Sequence, residues 1–263
     1  MTPPVALTIA GSDSGAGAGI QADLKVFAAL GVYGTSVITA LTAQNTHQVR
    51  AVLPTPADIV TAQLDAVLSD LPVLAAKTGM LGTEEVADAV AAQARAGLLP
   101  HLVVDPVLVS TSGHRLGVVA AVTRLLPYAL VATPNREEAA AIVGRPVTTT
   151  DEMVAAAAQI AAGGPRYVVV TGGGDDDDRT EAVDVFWTGT GTRLLAGPRV
   201  PTRNTHGTGC SFSAAIAARI ALGDAVPDAV VFAKEYVARA LAGARDWELG
   251  TGHGPLDHFG WSR

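Results

Sequence analysis

Short runs of β-branched and apolar residues alternate with alanine-rich stretches of helical period along nearly all of this 263-residue chain. Strand-like runs fall at Val5–Ala10, Thr35–Ala40, Val73–Ala76, Leu102–Val104, Ala129–Ala132 and Tyr167–Val170. Helix-like stretches fall between them at Ile20–Leu30, Ala57–Leu68, Glu84–Ala94, Arg136–Ile142 and Asp151–Ala162. Strands separated by helices pair in parallel, and a parallel sheet must be covered on both faces. The expected fold is therefore α/β, a three-layer sandwich with a mostly parallel central sheet. Asp151 stands where a cap would precede the helix that begins there, and Gly163-Gly164-Pro165 stops it. Beyond Thr171 the pattern changes to Glu181–Thr188 and Thr192–Ala196 around Gly189-Thr190-Gly191, an antiparallel hairpin at the sheet edge. Two more helices, about Gly207–Ala221 and Pro227–Ala244, precede a glycine-rich tail. With no repeat and no linker of distinct composition, residues 1–263 are expected to form one domain.

Composition narrows the class of partner. Hydrophobic residues make up 49% of the chain and charged residues 16%, enough for an ample core. A formal charge of −7, with lysine only at 25, 77 and 234 and no basic cluster, gives no footprint for nucleic acid. Small molecules are the expected partners. A single cysteine forms no internal disulfide, the amino terminus lacks a basic leader, and no apolar run approaches the ~18 residues of a membrane span. A soluble cytoplasmic protein without membrane contact is expected.

The chemistry concentrates at Asn204-Thr205-His206-Gly207-Thr208-Gly209-Cys210, which runs directly into an apolar helix. Glycines make a tight turn whose N–H groups, with the helix dipole, face an anion. The only cysteine lies there, where a helix N-terminus favours thiolate over thiol. Other motifs are set aside. Gly15-Ala16-Gly17-Ala18-Gly19 lacks the third glycine of a dinucleotide fingerprint, Ile20 standing there, and no acid follows at the ribose spacing. There is no P-loop, HExxH pair or GxSxG elbow, and Asp175–Asp178 reads as a solvated loop tip.

Three constellations could serve the anion turn. After Gly11–Gly19, Ile20, Leu24, Phe27 and Leu30 make a buried helical face that also carries Asp23. Asp23 is either a local capping carboxylate or a polar contact at a pocket floor. Gln44 closes the segment Ala40–Thr46 after a strand, where α/β sheets collect ligands. Its amide matches a ring edge with an exocyclic amine beside a ring nitrogen, and it could equally be a turn residue. Asp105 ends one apolar strand, and Thr133-Pro134-Asn135-Arg136-Glu137-Glu138 ends another and opens a helix. Acids at strand ends beside a phosphate site suit Mg²⁺, and Asn135 is also a natural N-cap.

Taken together, Ala6–Gly11, Gly17–Lys25, Val37–Thr46 and Asn204–Cys210 resemble the hydroxymethylpyrimidine/phosphomethylpyrimidine kinases of thiamine biosynthesis, in the ribokinase-like superfamily. The likeness runs over nearly the whole chain. It implies an ATP- and Mg²⁺-dependent phosphotransferase acting on 4-amino-5-hydroxymethyl-2-methylpyrimidine and then on its monophosphate. By that resemblance Gln44, Asp23, Gly11, Met80 and Val107 form the pyrimidine pocket. Gly207, Thr208 and Gly209 hold the charge on the transferring phosphoryl group, and Cys210 accepts or orients the substrate hydroxyl proton. Asp105 and Glu138 help place Mg²⁺, and Asn135 and Thr171 lie by the nucleotide phosphates. Cysteine at position 210 is shared with the vitamin B6 kinases, so a pyridoxal or pyridoxine kinase is the nearest alternative. A pyrimidine- or nucleotide-binding protein on the same fold is a further one.

One departure stands out. Where the family commonly carries lysine after this strand, the chain reads Thr171-Gly172-Gly173-Gly174. Arg179, Arg203 or Lys234 could supply that charge; unreplaced, its loss predicts weak ATP affinity or slow turnover. A homodimer is the expected assembly.

Overall fold

A computed structural model describes residues 2–108, 119–173 and 180–262. The acidic run 175–178 and Arg179 fall outside the described residues. In chain order the elements are β1 (Val5–Asp13), α1 (Gly19–Ala29), β2 (Tyr33–Gln44), β3 (Val49–Pro54), α2 (Ala57–Leu68), β4 (Val73–Thr78), α3 (Glu84–Arg95) and β5 (Val103–Val104). They continue with α4 (Val119–Thr123), β6 (Val131–Ala132), α5 (Arg136–Val143), α6 (Thr150–Ala162) and β7 (Tyr167–Val170). The last are β8 (Glu181–Trp187), β9 (Thr192–Pro198), α7 (Thr208–Ala221) and α8 (Val226–Gly243). The strands form one sheet in the order β3-β2-β1-β4-β5-β6-β7-β8-β9. From β2 to β7 every pairing is parallel, while β3 at one edge and β8 and β9 at the other run antiparallel.

Period-two alternation in the parallel strands divides the core into two. Leu7, Ile9, Ala76, Val104, Ala132, Val168 and Val170 face one layer with buried residues of α2, α3, α5 and α6. Ala6, Ala75, Val103, Val131 and Val169 face the other, with Phe27 of α1 and the buried faces of α7 and α8. Because both faces are covered, the central strands are apolar apart from a few residues such as Thr8 and Lys77, which is why their sequences show nearly continuous runs.

Two boundaries differ from the sequence expectation. Strand β2 continues past Ala40 to Gln44 and turns back as β3, with Gln44 opposite Val49. Residues 50–54 of β3 are exposed, so the segment carries no burial pattern by which to recognise it. Asp151 does not cap α6; Thr149 does, its hydroxyl accepting from the Glu152 N–H while the Glu152 carboxylate reaches back to the Thr149 N–H.

The parallel strands bring their carboxyl ends to one edge. Gly11–Asp13, Thr78–Met80, Asp105, Thr133–Asn135 and Thr171 therefore converge, and the N-terminus of α7 arrives opposite them.

Candidate active site

A cavity of about 1280 Å³ opens along this edge. Its wall includes Gly11, Gln44, Met80, Val107, Asp105, Asn135, Glu138 and Thr171, together with the turn His206–Cys210. The fold thus assembles, from seven separated segments, all the candidate residues but one. Asp23 is that one: fully buried on α1, it sits behind the cavity rather than on its wall. It caps no helix either.

Asp23 instead accepts a hydrogen bond from the Thr8 hydroxyl at 2.6 Å and meets the Lys77 ammonium at 3.0 Å through both oxygens. Lys77 is the penultimate residue of β4 and has no exposed surface, and its Nζ also lies 3.6 Å from Asp105 Oδ2. Burial would lower the Lys77 pKa, but the surrounding negative groups, Asp23 foremost and Asp105 with it, together outweigh it and keep the ammonium charged. Asp105 is braced from the other side by the Ser213 hydroxyl at 2.9 Å, one turn into α7. A buried lysine thus ties the carboxylates of α1 and β5 together directly beneath the anion turn.

That turn has the geometry an anion needs. Gly207 is the N-cap of α7 at φ +88°, without a side-chain cap, so the first helical N–H groups are not consumed by the usual hydroxyl or carboxylate. The Thr208 N–H returns to Thr205 O at 3.2 Å and the Ser211 N–H to Gly207 O at 2.8 Å, which closes the turn at the start of the helix. A side chain at Gly207 would run into the carbonyl oxygen of Gly17, whereas one at Gly209 would meet nothing within 4 Å. The two glycine-rich segments are therefore interlocked, and the space beside Gly209 is open.

The earlier segment is no phosphate cradle, because its N–H groups are already taken. Asp13 accepts from Gly15 at 2.8 Å, from Gly17 at 3.0 Å and from Ala18 at 2.9 Å. Its Oδ2 also lies 2.8 Å from Nε2 of His206. Burial would raise the Asp13 carboxyl, but His206 and these N–H groups outweigh it and hold it below the usual carboxylate range.

Cys210 does not follow the expected thiolate. Burial, with Asp105 and Asp23 nearby, pushes its thiol up to about 12, against the pull of Lys77 and a hydrogen bond from the Gly19 N–H. The dipole of α7 is outweighed by desolvation and by two carboxylates, so the resting group is a neutral thiol.

At the other end of the cavity Asn135 and Glu138 form a capping box, Asn135 Oδ1 accepting from the Glu138 N–H and Glu138 Oε2 from the Asn135 N–H, each at 2.9 Å. Burial and the Asp105 charge raise Glu138 to about 8. Thr133, 5% exposed on the same wall, has a buried hydroxyl with no hydrogen-bond partner among the described residues. Of the cations that could stand in for a lysine at 171, Lys234 lines the cavity, held by Asp184 at 2.7 Å and Ala182 O at 3.1 Å. Arg203 does not line it.

The matching family model, described as phosphomethylpyrimidine kinase, spans residues 13–257. The chain belongs to the phosphomethylpyrimidine kinase family. A hydroxymethylpyrimidine/phosphomethylpyrimidine kinase of Rhizobium meliloti (strain 1021) is 51% identical over 260 residues, 97% of either chain. Among solved structures, an ADP complex of Bacillus subtilis pyridoxal kinase superposes with a TM-score of 0.90 at 38% identity, covering 98% of each chain. A phosphomethylpyrimidine kinase from Clostridium difficile 630 superposes at 0.78, also 38% identical, covering 90% of this chain and 99% of that one. The three-layer architecture of this family member is ribokinase-like.

Sequence reasoning missed Lys77, Asp13, His206 and Ser213 as parts of the site. The stretch Asn204–Cys210 pointed to His206 by position alone. Nothing in the sequence marks Lys77 as a buried cation.

Proposed function

We propose that this family member transfers the γ-phosphoryl group of ATP to the hydroxyl of 4-amino-5-hydroxymethyl-2-methylpyrimidine, and then a second phosphoryl group to the monophosphate. The observation that carries this reading is the meeting, in one cavity, of Gln44, the uncapped turn Gly207–Cys210 and the acids Asp105 and Glu138. Gln44, Gly11, Met80 and Val107 form the pyrimidine pocket. Asp23 acts from behind it by holding Lys77. The N–H groups of the turn hold the charge on the phosphoryl group in flight.

Cys210, a thiol at rest, orients the substrate hydroxyl rather than waiting as a thiolate base. Phosphoryl transfer relies chiefly on positioning and charge stabilisation, so the hydroxyl need not be deprotonated beforehand: as its oxygen bonds phosphorus and the bond to ADP breaks, its proton passes to an oxygen of the transferred phosphoryl group and from there to water. Asn135 and Thr171 lie by the nucleotide phosphates. Mg²⁺ fits this donor set: Asp105, Glu138 and the orphaned Thr133 hydroxyl are hard oxygen donors on one wall. No group of three His, Cys, Asp or Glu placed to hold a metal ion exists among the described residues, so the remaining ligands would come from phosphate and water. When bound, the ion would screen the charge between the phosphates and these acids.

Pyridoxal is a second acceptor to consider, because the B. subtilis pyridoxal kinase shares the fold at a TM-score of 0.90. A single kinase domain over 1–263, a cytoplasmic location and a homodimer complete the reading. No described helix is long and apolar enough to cross a membrane, and Leu41 and Leu53 form an exposed pair on the β2–β3 edge that a second copy could cover.

The test is to incubate the protein with Mg-ATP and, separately, the aminopyrimidine alcohol, its monophosphate and pyridoxal, following ADP and product. ADP at background with all three would defeat the kinase assignment. Replacing Cys210 by Ala should lower turnover by about 100-fold or more, with Cys210→Asp as the comparison. Wild-type rates in the alanine variant would remove Cys210 from the reaction.

A further inference from the structure

Proton counting around Gln44 leads beyond its place in the pyrimidine pocket. The backbone of Gln44 is pinned by Ser14, whose hydroxyl accepts from the Gln44 N–H at 2.8 Å and donates to its carbonyl at 2.7 Å. Its side chain reaches two neighbours. The amide nitrogen is placed 3.2 Å from Nε2 of His206 and the amide oxygen 3.2 Å from the Thr42 hydroxyl, an orientation that sets donor against donor at His206. Amide oxygen and nitrogen have nearly the same shape, so the partners' protons decide which is which.

Both partners give the same answer. A carboxylate only accepts, so Nε2 of His206, 2.8 Å from Asp13 Oδ2, carries a hydrogen. That one hydrogen points mainly at Asp13, and an N–H that Gln44 also approaches, at 3.2 Å, is matched by the amide oxygen, which shares the hydrogen with Asp13, and not by a second donor. On the other side the Thr42 hydroxyl has one hydrogen, and it is spent on the Ser12 carbonyl at 2.9 Å. Thr42 therefore faces Gln44 with a lone pair and needs a donor, which is Nε2 of Gln44. With the amide nitrogen toward His206, two donors meet there and two acceptors meet at Thr42.

We propose that His206, braced by Asp13, is a specificity-determining residue: with Thr42 it fixes the polarity of the Gln44 amide, carbonyl toward His206 and amino group toward Thr42. What remains for the ligand is one lone pair of Oε1 and one hydrogen of Nε2. The complementary ring edge offers an amine on the His206 side and an acceptor nitrogen on the Thr42 side, so the ring enters in one orientation. This identification of the ligand edge rests on the function proposed above. The fixed amide polarity does not.

The lock also couples the pocket to the anion turn. His206 immediately precedes Gly207, and Asp13 gathers Gly15, Gly17 and Ala18 against it. A ring bound to Gln44 in the set orientation therefore lies against the same bracing that supports the turn.

Two measurements test this. In ¹⁵N-resolved NMR of the full-length protein near neutral pH, the His206 ring should carry a proton on Nε2; a ring protonated on Nδ1 alone would overturn the assignment. In steady-state kinetics, His206→Leu should raise KM for the aminopyrimidine alcohol about tenfold, with a smaller change in KM for ATP. It should also narrow the preference for the aminopyrimidine over pyridoxal. His206→Gln, whose amide N–H can again donate to Asp13 and Gln44, should recover most of the loss. A His206→Leu protein that melts like the wild type with an unchanged aminopyrimidine KM would refute the positioning role. If the wild type does not phosphorylate the aminopyrimidine, the proposed substrate fails while the NMR result still decides the amide polarity.

Discussion

Replacing Lys77 with Met tests whether the buried ion cluster beneath the turn is organised as described. Lys77 has no exposed surface, and its ammonium sits 3.0 Å from Asp23, itself unexposed. Met fills much the same volume, so the main effect is to strand a buried carboxylate, which costs about 3–5 kcal/mol. A stranded aspartate has an escape, because it can take up a proton. From a reference value near 3.9, protonation at pH 7 costs about 4 kcal/mol, at ~1.4 kcal/mol per unit, and at pH 5 about 1.5 kcal/mol. The penalty for Lys77→Met should thus be about 3–4 kcal/mol at pH 7 and shrink to about 1.5 kcal/mol at pH 5. The sign follows from linkage: burial already raises Asp23 in the wild type against the pull of Lys77, and removing that cation raises it further, so the variant loses more stability than the wild type as pH rises. Urea denaturation at both pH values measures it. Adding Asp23→Asn to Lys77→Met should recover most of the loss at pH 7. A penalty that is the same at both pH values, or one that Asp23→Asn does not relieve, would refute the stranded-charge reasoning.

Other outcomes follow from single positions. Gly207→Ala puts a Cβ at φ +88° against the Gly17 carbonyl, so it should cost about 1–3 kcal/mol of stability and 100-fold or more in turnover, measured by melting and initial rates. Gly209→Ala meets only open space, so it should melt as wild type yet lose turnover by obstructing the anion; normal turnover would place the phosphoryl group elsewhere. The Glu138 carboxyl, raised by burial to about 8, stabilises the protein fully below about pH 4.5 and loses that contribution as pH climbs through 8. Wild type should therefore fall in stability relative to Glu138→Gln by a few kcal/mol between about pH 4.5 and 8. A pH-independent difference would mean that Glu138 is charged throughout. Thr171→Lys should tighten ATP binding or raise turnover, and no change in either would show that the charge is already supplied, with Lys234 on the cavity wall the first candidate.

Much of the fold could be read from local pattern because local physics causes it. The apolar runs at Val73–Ala76 and Tyr167–Val170 became strands as expected, since a two-faced burial requirement leaves a continuous apolar signature. Strand β3 escaped notice because residues 50–54 are exposed and their place depends on pairing with β2. Thr149 displaced Asp151 as the cap of α6 because its backbone is extended there while its hydroxyl faces the Glu152 N–H, a difference of two residues that composition cannot resolve. Within the site, Gln44, Asp105, Glu138 and the 207–210 turn were visible because each ends a strand or opens a helix.

The sequence by itself determined the alternation that makes a parallel sheet, the edge where its strand ends gather, and the glycine turn that starts α7 without a side-chain cap. These are consequences of residues near one another in the chain. Tertiary structure alone decided the ionic character of the site. Lys77 and Asp23 stand 54 positions apart, and His206 and Asp13 193 apart, so no local pattern announces that either pair meets. Charge state also depends on burial, which is a property of the assembled molecule. Cys210 shows this most directly. Its position at a helix N-terminus argues for a thiolate, and only its partial burial at the cavity wall, with Asp105 and Asp23 packed nearby, makes it a thiol.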